Sequence, residues 1–213
     1  RALRMSEGDE LDIFDGAGGL YRCKVSLAHK RRAKVEVLER QPPEPKPANG
    51  PSLAIALLRG QAMDRAIQQA TELGAQHIWL LQGARSNLTL KEDRLAQKMG
   101  HWQRIIASAC EQSGQLWLPS LHEPRSVADC LEQQASEVQP IVFEPEGDAM
   151  PPRLAAYNPL IFVGPEGGWS DTEKQLFQCE NVAIYRLGST ILRAETMPAV
   201  GIALVQQARG WPS

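Results

Sequence analysis

Short apolar runs broken by turn residues mark the first forty positions as β. "ELDIFD" (10–15), "LYRCKVSLA" (20–28) and "AKVEVLE" (33–39) read as strands. Asp15-Gly16-Ala17-Gly18-Gly19 and His29-Lys30-Arg31-Arg32 punctuate them. The stretch predicts a small β-barrel or sheet. "RQPPEPKPANGP" (40–51) follows, dense in proline, and is the natural linker. It divides the chain into an N-terminal β domain, residues 1–47, and a larger domain, residues 48–213.

After residue 52 the pattern changes. "SLAIALL" (52–58) is a buried strand. In "QAMDRAIQQATELG" (61–74), Met63, Ala66, Ile67, Ala70 and Leu73 form one helical stripe, and Gly74 is a C′ residue. "HIWLLQ" (77–82) is the next strand. Residues 91–114 form a long amphipathic helix with Leu95, Met99, Trp102, Ile106 and Cys110 inward. Residues 126–136 form a shorter one. Strands at 140–145, 159–164 and 182–188 then alternate with helices at 171–179 and 196–209. Such alternation predicts an α/β domain, a mostly parallel sheet covered on both faces.

Composition narrows the class. Of 213 residues, 43% are hydrophobic and 23% charged, with net charge −2, so the chain is globular and not globally basic. Local basic clusters are still allowed. No apolar run approaches the roughly 20 residues a membrane span needs. The opening "RALRMSEGDE" lacks both Met and the apolar core of a secretory signal. An N-terminal piece is therefore expected to be missing. Four well-separated cysteines fit reduced, mostly packed thiols in a cytoplasmic protein better than a zinc site or disulfides.

Two strand-to-helix loops carry the candidate chemistry. In "VGPEGGWSDTE" (163–173), Gly164, Gly167 and Gly168 let the backbone approach a ligand closely. Ser170 and Glu173 form a capping-box pattern that starts the next helix. Alone, this stretch is also an ordinary tight turn. It is not a dinucleotide fingerprint or a phosphate loop. The second loop, in "LGSTILRAETMPAVGIALVQ" (187–206), places Arg193, Glu195 and Thr196 before a helix with Pro198 in its first turn and Thr196 or Met197 as cap. An exposed ion pair at a helix start is an equally good account of Arg193 and Glu195 taken alone. Loops at the carboxyl ends of parallel strands are where ligands collect.

Together, "GPEGGWSDTE" and "LGSTILRAET" resemble the signature of the SPOUT superfamily of RNA methyltransferases, and within it the 16S ribosomal RNA uracil-N3 methyltransferases. "MDRAIQQATELGAQHIW" (63–79), "ARS" (84–86), "HWQRIIASACEQSG" (101–114) and "RALRMSEGDELDIFDG" (1–16) extend the likeness over nearly the whole chain. The resemblance implies a PUA-like β-barrel that helps hold RNA, followed by an α/β domain with a C-terminal trefoil knot. It implies S-adenosylmethionine bent against Gly164, Glu166, Gly167 and Gly168 on one side and Leu187, Gly188, Ile191, Leu192 and Thr196 on the other. It implies a homodimer through the knot region, small-subunit ribosomal RNA as substrate, free or in an assembled 30S particle, and no metal.

Chemistry assigns the remaining roles. Uracil N3 is a weak nucleophile until its proton leaves, so a cation that stabilises the resulting anion assists. Arg193 suits that role. Glu195, at a helix N-terminus, is a poor base and is expected to orient Arg193. Lys30, Arg31 and Arg32, on a barrel hairpin, and Arg85, after the 77–82 strand, are expected RNA contacts. Lys91, Arg94, Lys98, His101 and Arg104 read as a solvated helix face, and Trp102 and Trp169 as packing. Thr190, Gln69, Gln115 and Ala84 depart from residues usual in the family. Three rivals stay open: methylation of another RNA atom such as a ribose 2′-hydroxyl, a non-catalytic RNA-binding or assembly protein, and a metabolic α/β enzyme for a small substrate, which would leave the β-barrel and linker without a role.

Overall fold

The computed structural model describes residues 5–29, 32–86, 92–155 and 158–211. The chain divides into two compact units, Arg1–Pro47 with Gly114–Leu118, and Ala48–Ser113 with Pro119–Ser213.

In the first unit, β1 (Glu10–Phe14), β2 (Leu20–His29) and β3 (Arg32–Arg40) pair antiparallel in that order. The β1–β2 turn is built on Asp15. Its carboxylate accepts the Ala17 and Gly19 amides at 2.8 and 2.9 Å and the Tyr21 hydroxyl at 3.1 Å. Those backbone hydrogen bonds, foremost the one from Ala17, hold the Asp15 carboxyl below its ordinary pKa. A later segment joins this unit. Trp117 bridges Ala17 and donates its indole N–H to the Glu44 carbonyl at 3.0 Å. Periodicity gave no hint of that return. Of the three basic hairpin residues, Arg32 opens β3 and is exposed, while Lys30 and Arg31 lie outside the described residues.

The second unit is a six-stranded sheet with helices on both faces. Its strands are β4 (Ser52–Ala56), β5 (His77–Leu81), β6 (Ser120–Arg125), β7 (Val138–Ala149), β8 (Asn158–Val163) and β9 (Ala183–Arg186). All pair in parallel, in the order β6-β5-β4-β8-β7-β9. Helices α1 (Gln61–Glu72), α2 (Glu92–Ser113) and α5 (Met197–Arg209) cover one face, and α3 (Val127–Glu132) and α4 (Asp171–Cys179) the other. The predicted stripe of α1 is buried at Met63, Ala66, Ile67 and Ala70. Trp102 is buried beneath α1 and donates to Asp64 at 3.1 Å, joining α1 to α2. Gly201 lets α5 lie directly on the sheet: a Cβ there would stand 3.2 Å from Phe143 and 3.3 Å from Ile161.

Two strands differ from the predicted pattern. β6 (SLHEPR) was not foreseen because it carries a single aliphatic residue and a proline. It is an edge strand, where a missing N–H is tolerated. β7 runs beyond the predicted 140–145 because its ladder with β9 jumps: Tyr185 faces both Phe143 and Asp148, and residues 144–147 bulge out.

On β5 and β6 a stacked cluster stands apart from that bulge. The His122 and Trp79 rings lie parallel, 3.5 Å between centroids, with Arg125 4.6 Å over the Trp79 ring and His77 Nδ1 3.1 Å from His122 Nε2. Burial, then His77 and Arg125, push the His122 pKa down from 6.5 to about 4. Between those values the unfolded chain takes up a proton that the folded protein refuses. Folding stability should therefore fall as pH drops from 6.5 toward 4. Denaturant titrations across that window should show a shallower fall for His122→Phe, which keeps a ring on Trp79.

Candidate active site

The chain runs outward from β4 to β5 and β6, then returns to place β8 on the other side of β4. That reversal leaves a crevice at the carboxyl ends of β4 and β8, the usual ligand site of such sheets. A cavity of about 740 Å³ opens there. Its floor is Phe162 and Val163 of β8, and its walls are the two predicted loops.

The first loop leaves β8 at Gly164. Trp169, buried to 2% exposure, lies against that glycine, and a Cβ there would come within 3.0 Å of the indole. Trp169 in turn meets Phe177 edge-on at 5.1 Å, so the loop is anchored in the core. Gly168 turns the chain at φ 69°. Gly164, Glu166 and Gly168 line the cavity. Gly167 does not: its open side faces the backbone and Cβ of Arg85 at 3.5 Å. α4 then starts with the predicted capping box. Ser170 Oγ accepts the Glu173 amide, and Glu173 Oε2 accepts the Ser170 amide at 2.7 Å.

The second loop follows β9. Leu187, Gly188, Ile191, Leu192, Arg193 and Glu195 all line the same cavity. Gly188 adopts φ 61°. Arg193 Nη1 stands 3.8 Å from Glu195 Oε1, the arginine side chain 85% exposed and the carboxylate only 22%. The geometry is that of an exposed cation with a more sheltered acid at the limit of ion-pair range. Thr196 is the N-cap of α5, but it sits in the helical region of backbone space and its side chain makes no capping hydrogen bond. It is outside the cavity lining. Arg85 sits in the turn after β5, beside Gly167, with Asp171 at 3.9 Å.

Lining groups that were not foreseen include Ala62 from α1, Met197 from α5, and Phe143, Glu144 and Pro145 from β7. Glu144 is 17% exposed and paired with Lys174 at 2.8 Å, a bond that foremost raises the lysine pKa. The carboxyl end of a strand near residue 145 was legible, but the bulge that turns Glu144 inward was not. Among the described residues no cluster of three or more His, Cys, Asp or Glu is placed to hold a metal, and no helix is long and apolar enough to cross a membrane.

Comparison with known proteins gives this arrangement its class. Residues 45–206 match the family described as RNA methyltransferase domain, and residues 1–38 that described as RNA methyltransferase PUA domain. Fold and cleft thus define a SPOUT-type RNA methyltransferase that uses S-adenosylmethionine. A ribosomal RNA small subunit methyltransferase E from Synechocystis is 33% identical over 96% of this chain and 68% of its own length. Its namesake from Mesomycoplasma hyopneumoniae is 32% identical over 76% of this chain and 72% of its own. The crystal structure of the Neisseria gonorrhoeae enzyme of that name, bound to S-adenosylmethionine, superposes with a TM-score of 0.87 at 27% identity, covering 98% of this chain and 86% of the other. A methyltransferase structure from Legionella pneumophila, also in complex with S-adenosylmethionine, gives 0.89 at 26%, with the same coverage. The chain belongs to the ribosomal RNA small subunit methyltransferase E family.

The cleft fits that cofactor. Its volume lies in the range of small-molecule sites. Ile191 is 88% exposed in the cavity wall, an apolar side chain that a ligand would cover. Among the described residues, the Ile191 and Leu192 amides make no backbone hydrogen bond of their own, so they are available to a polar ligand. Covering Ile191 implies a measurable share of affinity. Ile191→Ala should weaken S-adenosylmethionine binding by about tenfold, in line with ~1.5 kcal/mol for burying such a side chain. Calorimetric titration reads the affinity, and an unchanged melting temperature checks that the loop alone is affected.

Proposed function

We propose that this protein methylates N3 of a uridine in small-subunit ribosomal RNA, with Arg193 as the catalytic cation and Glu195 as its orienting partner. The observation that supports the reading is the placement of Arg193: it lines the cofactor cleft, its side chain is exposed, and the more sheltered Glu195 carboxylate stands 3.8 Å from it. The relatives' printed name supplies the substrate class.

The bound cofactor supplies a sulfonium methyl group for in-line displacement. The residues of this chain supply position and charge. The 164–168 and 187–192 loops hold the cofactor through backbone groups and the apolar faces of Leu187, Ile191 and Leu192. Once solvent water has taken the N3 proton, negative charge lies on the uracil oxygens beside N3, and the planar fork of Arg193 would stabilise it. With the cofactor bound, its methyl group would pass to N3, which would return the uracil to neutrality and end the need for the Arg193 charge. Most of the rate comes from alignment. The target base must be unpaired or turned out, since pairing hides N3.

Arg85, beside the first loop, and Arg32 on the β3 edge are assigned to the RNA, as are Lys30 and Arg31. The protein acts in the cytoplasm on free or assembled small-subunit RNA, as a homodimer whose C-terminal segment is knotted. The outer side of α5 supports the dimer: half-buried Val200 and Leu204 join Met150 and Leu192 around a shallow, mainly apolar hollow next to the cofactor loop. A second copy seated there would order the 187–192 loop.

Transfer of labelled methyl to small-subunit particles, followed by digestion to nucleosides, tests the reading. The label should appear in N3-methyluridine. Label in a 2′-O-methyl nucleoside would move the chemistry to the ribose, and cofactor binding without transfer would leave an RNA-binding protein. Arg193→Lys should lower kcat by roughly a hundredfold or more, the scale for losing a preorganised charge donor, with cofactor affinity unchanged. Glu195→Gln, which keeps Arg193 but loosens its placement, should cost roughly tenfold, within the range set by misorientation.

A further inference from the structure

The capping box of α4 needs only one oxygen of Glu173, yet both are engaged. Oε2 serves the box, accepting the Ser170 amide at 2.7 Å and the Ser170 hydroxyl at 2.8 Å. Oε1 accepts the Ala84 amide at 3.0 Å, from a residue 89 positions away. Glu173 itself is buried at 8% exposure, while Ala84 is exposed, so the bond between them is half-sheltered from competing water. Ala84 lies in the turn closed by Ser86 N–H to the Gly83 carbonyl at 2.9 Å, and Arg85 is the next residue of that turn. Two further contacts lie along the same seam. Gly83 passes 3.5 Å from Glu173 Oε1, measured to where its Cβ would be, and Gly167 faces Arg85 at the same distance. The turn bearing Arg85 and the first cofactor loop are thus joined through one buried side chain.

We infer that Glu173 is a positioning residue for methyl transfer, which holds the Arg85 turn at a fixed place relative to the 164–168 loop and acts through Arg85. The inference rests on the assignment of Arg85 to the RNA. Arg85 has little else to fix it: its guanidinium is half exposed, and its ion pair spans 3.9 Å to an Asp171 side chain that is 93% exposed. Its backbone is what the fold controls, and the hydrogen bond from the preceding amide is the control. A charge-assisted bond inside the protein is about twice as strong as a neutral one.

Two substitutions remove the strut from opposite ends. Glu173→Gln keeps the volume, but its one carbonyl oxygen can serve the Ser170 or the Ala84 amide, not both. Ala84→Pro deletes the donor and leaves the capping box whole, and Ala84 occupies the turn position where proline's φ is usual. Ser170→Ala is the control, because it weakens the cap and spares the Ala84 bond. The readouts are kcat/KM for small-subunit RNA by labelled methyl transfer, cofactor Kd by titration, and melting temperature.

Glu173→Gln and Ala84→Pro should each lower kcat/KM for RNA about tenfold, the factor expected for losing one charge-assisted hydrogen bond. Cofactor Kd should stay within about twofold, and Ser170→Ala should lower the melting temperature without the RNA-side loss. In an Arg85→Ala background, Glu173→Gln should change kcat/KM by less than about twofold, because residues acting as a unit are not additive. An undiminished tenfold loss in that background overturns the inference, as does a Ser170→Ala variant that reproduces the loss. Wild-type protein that binds cofactor but transfers no methyl would instead defeat the methyltransferase reading.

Discussion

The seating of β8 between β4 and β7 is the constraint on which the rest depends. Its pairing to β4 aligns Ser52 with Leu160 and Ile55 with Val163, and its pairing to β7 aligns Val138 with Asn158 and Val142 with Phe162. β8 is buried over nearly its whole length because helices close both faces. A parallel strand in that position must discharge its chain into the crevice at the sheet's carboxyl edge. Gly164, the β7 bulge and the start of α1 meet there for that reason. Shifting β8 by one residue would exchange Phe162, which packs with Phe177, for Ile161, which packs with α5.

The cleft is walled by two loops, and the first is anchored from below. Trp169 and Phe177 pin the first loop into the core, and Glu173 ties it both to its own helix and to the turn after β5. The second loop has fewer internal bonds and exposes Ile191, as expected of a wall completed by a ligand. Two walls of unequal stiffness suit a site that must admit a cofactor and then hold it in line with a base. Arg193 sits on the softer wall, with the Glu195 carboxylate 3.8 Å away.

Much of this was legible from residue order. The helical stripe of α1, the Ser170–Glu173 capping box and the two strand-to-helix loops all followed from local chemistry, because each depends on neighbours within a few positions. What escaped depends on distant partners. β6 is a strand because β5 offers it an edge, whatever its own polar composition. The bulge at 144–147 arises from the β7–β9 register, and residues 114–118 leave α2 to join the N-terminal unit through Trp117. Gly167 and Thr196 are in the right loops yet off the cavity wall, since the direction a loop residue faces is a property of the folded backbone. The second oxygen of Glu173 is the clearest case: the capping motif was visible, but its long-range bond to Ala84 was not.

The central claim is that S-adenosylmethionine lies between the 164–168 and 187–192 loops and is held by their backbone groups. Amide hydrogen exchange of the full chain, with and without the cofactor, tests it most directly. The account predicts slowed exchange confined to Gly164 through Trp169 and Leu187 through Glu195, with the larger change in the second loop, whose amides have fewer partners beforehand. Saturating cofactor that leaves both loops unprotected, or that protects another surface instead, would contradict it.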